Sequence, residues 1–100
     1  MNIGTVIKTQ RKKQGLKQIE LASKCGLSQS YLSSIEKGTK EPTLGVLKDI
    51  AKALSLPLPI LIFYSLDIND VDEEKRSDFK SLQPYIKGML DDVFANEQTL

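Results

Sequence analysis

The side chains with the plainest chemistry in this 100-residue sequence are cations, and they are unevenly placed. Residues 1–65 carry ten lysines and arginines, from Lys8 to Lys52, against four acids, Glu20, Glu36, Glu41 and Asp49, a net charge of +6. Residues 66–100 carry four basic and nine acidic side chains, a net charge of −5. The overall +1 therefore hides a basic body joined to an acidic tail. A body charged in this way attracts a polyanion. Catalytic chemistry is poorly provided for. With no histidine, the commonest general base and metal ligand is missing. Cys25 is the single cysteine, which rules out an intramolecular disulfide and a thiolate zinc cluster and suits a reducing cytosol. The sequence also offers no nucleophile–base set and no phosphate-binding loop. The expectation is a non-enzyme without metal or cofactor, located in the cytoplasm.

These cations must be positioned by helices. Ile3, Val6, Ile7 and Gln10 form a helical stripe that stops at Lys12-Lys13-Gln14-Gly15, where basic residues and a glycine mark a helix end. Leu16 leads into a short helix over residues 18–24, with Leu21 and Ala22 facing inward and Gly26 closing it. Ser28 is an N-cap for a helix over residues 29–37 carrying Leu32 and Ile35, and Gly38 ends that one. After a loop at residues 39–42, Thr43 caps a fourth helix with Leu44, Leu47, Ile50, Ala51 and Leu54 on one side. Pro57 permits a fifth helix, with Leu58, Leu61 and Ile62 inward. Residues 67–72 read as an acidic linker, and Asp72-Glu73-Glu74 as the start of a further helical stretch. Pro84 lies inside that stretch, so two short helices or one kinked helix are expected. The longest apolar-rich run, residues 56–66, contains two prolines and is well short of the roughly 20 residues that cross a bilayer. Residues 1–10 lack the apolar core of a signal peptide.

Two short helices joined by a tight glycine-containing turn make a helix-turn-helix. The run Leu16-Lys17-Gln18-Ile19-Glu20-Leu21-Ala22, then Gly26-Leu27-Ser28, Leu32-Ser33, Glu36, Gly38 and Pro42 resembles the Cro/CI-type (XRE) family of repressors. The resemblance covers about residues 3–64, and many spaced positions match together. Leu27 and Leu32 stand where β-branched residues are more usual. Lys17 stands where a Ser or Thr cap is usual, which weakens that cap but sets a cation within reach of a phosphate. The resemblance implies an all-α fold, with a five-helix repressor-type helix-turn-helix domain over residues 1–66; the tail's own residues add an acidic C-terminal helical extension over residues 67–100. It also implies a transcriptional regulator, a repressor, that binds double-stranded DNA with the second helix of the pair in the major groove.

Carried over position by position, the family pattern makes Gln29, Ser30, Ser33 and Ser34 the base readers. A glutamine amide can both donate to and accept from adenine. The same pattern makes Gln18 a phosphate ligand that braces the reading helix, with Lys17, Lys37, Lys40 and Thr43 as further phosphate contacts. Tyr31 either bonds the sugar-phosphate backbone or covers the rim of the core. Arg11 and Glu36 occupy positions that form an internal ion pair in relatives, and Cys25 is expected to be a buried structural thiol.

The fifth helix is more apolar than one buried face requires, because Ile60, Phe63 and Tyr64 accompany its inward residues. The tail has an apolar stripe of its own: Phe79, Leu82, Ile86, Leu90 and Val93. The expectation is that these residues bury one another across a two-fold homodimer that reads a palindromic operator. The alternative is a tail folded back on its own domain. A protein-interaction module that keeps this fold, such as an antitoxin, is the rival functional reading. No small-molecule effector is expected, because the remaining residues are too few for a ligand domain.

Overall fold

A computed structural model describes residues 1–94 of the chain. It is all-helical among these residues: α1 (Ile3–Lys13), α2 (Gln18–Cys25), α3 (Gln29–Lys37), α4 (Leu44–Ala53), α5 (Leu58–Ser65) and α6 (Arg76–Phe94), with 3₁₀ turns at Ile68–Asp70 and Glu73–Lys75 before α6. The backbone forms two compact units. One is Asn2–Ser65, and the other comprises Met1 and the chain from Leu66 onward.

The first unit closes around one aliphatic core. Ile7 of α1, Leu21 of α2, Leu32 and Ile35 of α3, Ile50 of α4 and Leu61 of α5 are all fully buried, with Leu54 just past the end of α4. Every helix of the unit thus contributes at least one such side chain. Each contributes about 1.5–3 kcal/mol when fully buried. The side-chain spacing that marks these helices in the sequence is the spacing that builds the core.

Local capping fixes the helix ends. The Ser28 hydroxyl accepts the Tyr31 N–H at 3.1 Å, and the Thr43 hydroxyl accepts the Val46 N–H at 3.2 Å. Such caps each contribute about 1 kcal/mol. Gly26 (φ 69°) and Gly38 (φ 81°) take the left-handed conformation that ends α2 and α3. At the start of α2, Lys17 has no acceptor atom to offer, so only half a capping box exists. The Glu20 carboxylate accepts the Lys17 backbone N–H at 2.7 Å. This offsets the weak cap expected at Lys17 and adds a negative charge in the first turn, where the helix dipole favours it.

Three details differ from the sequence reading, and at a fourth the structure selects one of two expected arrangements. Leu44 does not join the inner side of α4; it is 60% exposed. It is the first residue of the helix and lies at the edge of the apolar stripe, rotated away from the centre set by Leu47, Ile50 and Leu54. The segment over residues 67–72 is not a plain linker. The Asp67 carboxylate caps the 3₁₀ turn by accepting the Asn69 N–H at 2.7 Å, and Asp70 reciprocates by accepting the Asp67 N–H at 2.9 Å. Residues 73–75 form a second 3₁₀ turn, so α6 begins only at Arg76, whose guanidinium donates to the Val71 carbonyl at 2.8 Å. Finally, of the two arrangements expected around Pro84, two short helices or one kinked helix, the structure has a single helix, α6, running through it. Proline removes the hydrogen bond to the carbonyl four residues back, and here both Pro84 and Lys80 are exposed, so water can satisfy that carbonyl. No helix among the described residues is long and apolar enough to cross a membrane.

Candidate nucleic-acid interface

The reading helix implied by the resemblance is α3, and the structure shows how its neighbours hold it. At its C-terminal end the buried Glu36 carboxylate meets the buried Arg11 guanidinium in a two-point pair: Nε donates to Oε2 at 2.8 Å and Nη2 to Oε1 at 3.0 Å. Arg11 also donates through Nη1 to the Leu16 carbonyl at 2.8 Å, tying the α1–α2 connection to the same point. The Gln18 side-chain amide, in the first turn of α2, donates to Glu36 Oε1 at 3.1 Å. One carboxylate on α3 therefore fastens α1, α2 and the segment between them. The pair expected from the family pattern forms, and no buried side-chain nitrogen or oxygen among the described residues lacks a partner.

With its C-terminal end anchored inward, α3 presents its N-terminal turn to solvent. Gln29 and Ser30 are exposed, whereas Ser33 and Ser34 are half-buried. The Ser34 hydroxyl donates back to the Ser30 carbonyl at 3.0 Å, which holds it against its own helix. The Ser30 hydroxyl lies 3.5 Å from that of Ser28. Among the described residues no side-chain hydrogen bond engages the Gln29 amide, the longest polar group of the four.

The expected phosphate contacts flank this turn along the chain. Lys17, Lys37, Lys40 and Thr43 are exposed, while Gln18 and Tyr31 are half-buried. Thr43 spends an oxygen lone pair on its cap, which leaves the hydroxyl proton available to donate. Gln18 spends one amide hydrogen on Glu36 and keeps a second donor and its carbonyl. The loop carrying Lys40 is fixed at its start, because the Ser34 carbonyl accepts the Thr39 hydroxyl at 3.1 Å and the Thr39 and Lys40 N–H groups at 3.0 and 3.2 Å.

Cys25 departs from the buried thiol expected. It is half-buried at the end of α2, beside Asp49 and Lys52 of α4, in an open depression. Desolvation and then the Asp49 charge push its thiol up from the usual range, which disfavours the reactive thiolate. Two other contributors carry little signal in the sequence. Gln14 donates to the Leu54 carbonyl at 2.7 Å, joining the end of α1 to the end of α4. Gly4 lies buried where α1 meets α3. The partners of both are distant along the chain, so neither could be found from local spacing.

A comparison with protein families matches residues 7–61 to the helix-turn-helix family HTH_3. The chain belongs to this helix-turn-helix family. The match spans α2, α3 and α4 together with most of α1 and the first half of α5, so the Cro/CI-type assignment rests on most of the first unit rather than one short motif. Among relatives, the chain is 34% identical over 94 residues to the uncharacterized HTH-type transcriptional regulator y4dL of Sinorhizobium fredii, covering 94% of this chain and 39% of that one. It is 39% identical over 62 residues to the immunity repressor protein of Bacillus phage phi105, covering 62% of this chain and 43% of that one. The chain thus spans about two fifths of the length of these curated relatives. Among solved structures, it is similar to the biofilm master regulator SinR in complex with DNA, with a TM-score of 0.57, 38% identity, and 60% of this chain and 97% of that chain covered. The relatives named above are described as transcriptional regulators or repressors.

Proposed function

We propose that the chain is a cytoplasmic repressor that binds double-stranded DNA sequence-specifically, as a homodimer on a palindromic operator. The observation that carries this reading is the mounting of α3. Its C-terminal end is locked to α1 and α2 through Glu36, and its N-terminal turn is left exposed with the Gln29 amide unengaged. In this reading α3 enters the major groove. Gln29 is the main base reader and Ser30 a short-range helper, while Ser33 and Ser34 contribute less because they are half-buried. Lys17, Gln18, Tyr31, Lys37, Lys40 and Thr43 hold the phosphate backbones on either side. The DNA-bound relative and the phage repressor support DNA binding and the repressor role, respectively.

Binding to a random-sequence duplex at rising salt tests the phosphate contacts. Log affinity is expected to fall linearly with log salt, and Lys40→Ala to make that slope shallower by about one. An affinity indifferent to salt would contradict the reading.

The homodimer rests on the second unit. On α6 the apolar arc divides into two flanks. Phe79, Ile86 and Leu90 are half-buried, whereas Leu82 and Val93 are 56% and 71% exposed, and Tyr85 and Met89 accompany them at 74% and 67%. Ile60, Phe63 and Tyr64 of α5 are half-buried. Pairing of the exposed flank with its copy would remove an apolar surface that small proteins seldom leave in water. Light scattering of the full chain should give twice the monomer mass, and Leu82→Glu with Val93→Glu should return it to one. A monomeric wild-type chain at micromolar concentration would overturn the dimer.

A further inference from the structure

We infer that Gly4 is a positioning residue for DNA recognition: the bare backbone of α1 at this point sets where the reading helix sits. This rests on the proposal that α3 reads DNA. Gly4 lies in the first turn of α1 and is buried against the last turn of α3. A Cβ placed on Gly4 would overlap the Ile35 carbonyl oxygen, and would lie 3.0 and 3.2 Å from the carbonyl oxygen and carbon of Glu36. All three atoms belong to the α3 backbone, so no side-chain rotation can make room.

The Ile35 carbonyl is itself committed, accepting the Gly38 N–H at 3.0 Å as α3 ends. The adjoining residue, Glu36, carries the carboxylate that grips Arg11 from the other end of α1. α1 therefore fixes α3 twice, by direct backbone contact at Gly4 and by the ion pair at Arg11. An added methyl group must drive the two helices apart by on the order of 1 Å to reach ordinary van der Waals separation. A binding constellation tolerates about 0.5 Å of misplacement. Pivoting on the Arg11–Glu36 pair, the displacement is carried along α3 to Gln29 and Ser30 in its first turn. Phosphate contacts through long, flexible lysines absorb such a shift, whereas a bidentate amide–base pair does not.

The test compares Gly4→Ala with Ile7→Val, a mild loss in the buried face of the same helix with no new clash. The 100-residue chains are titrated, well below their melting temperatures, with a duplex selected from random DNA by the wild type and with a scrambled duplex. Gly4→Ala should lower the ratio of specific to scrambled affinity by about tenfold or more, with scrambled affinity and its salt slope unchanged. Ile7→Val should leave the ratio as in wild type. A Gly4→Ala chain that keeps the wild-type ratio overturns the inference. So does one in which specific and scrambled affinity fall together. If the alanine chain is partly unfolded, the ratio is read in sucrose, which favours the compact state without moving the clash. Failure to fold even then also overturns the inference, since Gly4 would be a requirement of the fold and not a setting of the reader. A wild-type chain that selects no duplex contradicts the DNA reading itself, an outcome distinct from all of these.

Discussion

Glu36→Ala is expected to cost about 3–5 kcal/mol, because it strands a guanidinium inside the first unit. Arg11 would keep its bond to the Leu16 carbonyl but lose both hydrogen bonds to the Glu36 carboxylate, and Gln18 would lose its tie to α3. A small domain has only about 5–15 kcal/mol of stability in total, so the variant should be substantially destabilised at room temperature. Chemical denaturation followed by circular dichroism measures this directly. The pair is worth less than this loss implies. Replacing both partners, Arg11→Met with Glu36→Leu, should recover most of the stability, because two apolar side chains need no charge compensation in a buried site. The double variant should still bind DNA less well than wild type, since the brace from Gln18 to α3 is gone. A single-variant cost below about 1 kcal/mol would contradict the account of how α3 is held.

Gln29→Ala is expected to weaken specific DNA binding by about 1–3 kcal/mol, the usual worth of a bidentate base contact. That corresponds to roughly tenfold to a hundredfold in affinity. Thermal stability should hardly change, because Gln29 is exposed and, among the described residues, bonded to nothing through its side chain. Affinity for scrambled DNA should be preserved, since phosphate contacts supply it. Ser34→Ala should do much less, its hydroxyl being directed onto the Ser30 carbonyl. Equal losses on specific and scrambled duplexes would show that Gln29 touches the backbone and not a base.

Much of this arrangement is legible in the sequence, for a physical reason. The ends of α2 and α3 are written in local chemistry: Ser28 as a cap, and Gly26 and Gly38 as left-handed stops. The buried side of each helix follows from the spacing of Leu21, Leu32, Ile35 and Ile50. What escaped depends on partners far along the chain. Leu44 lies on the edge of the apolar stripe of α4, and only the packed structure shows that this edge is left exposed. The reason for Gly4, the Ile35 carbonyl, lies 31 positions away along the chain. Pro84 signals a break or a kink in the sequence without deciding between them, because whether the helix continues depends on how the freed Lys80 carbonyl is satisfied in the folded structure, where α6 continues. The apolar stripe of the tail could be found by periodicity, but its division into a half-buried and an exposed flank could not. Residues 95–100, the end of the expected extension, lie outside the described residues.

The measurement that bears most directly on the account is selection of bound duplexes from random DNA by the full chain, repeated with Gln29→Ala. The account predicts enrichment of a two-fold symmetric sequence with half-sites about one helical turn apart, ~34 Å. It further predicts that Gln29→Ala relaxes the preference at one adenine in each half-site. Enrichment of no sequence by the wild type, or of the same sequence with undiminished preference by Gln29→Ala, would contradict it.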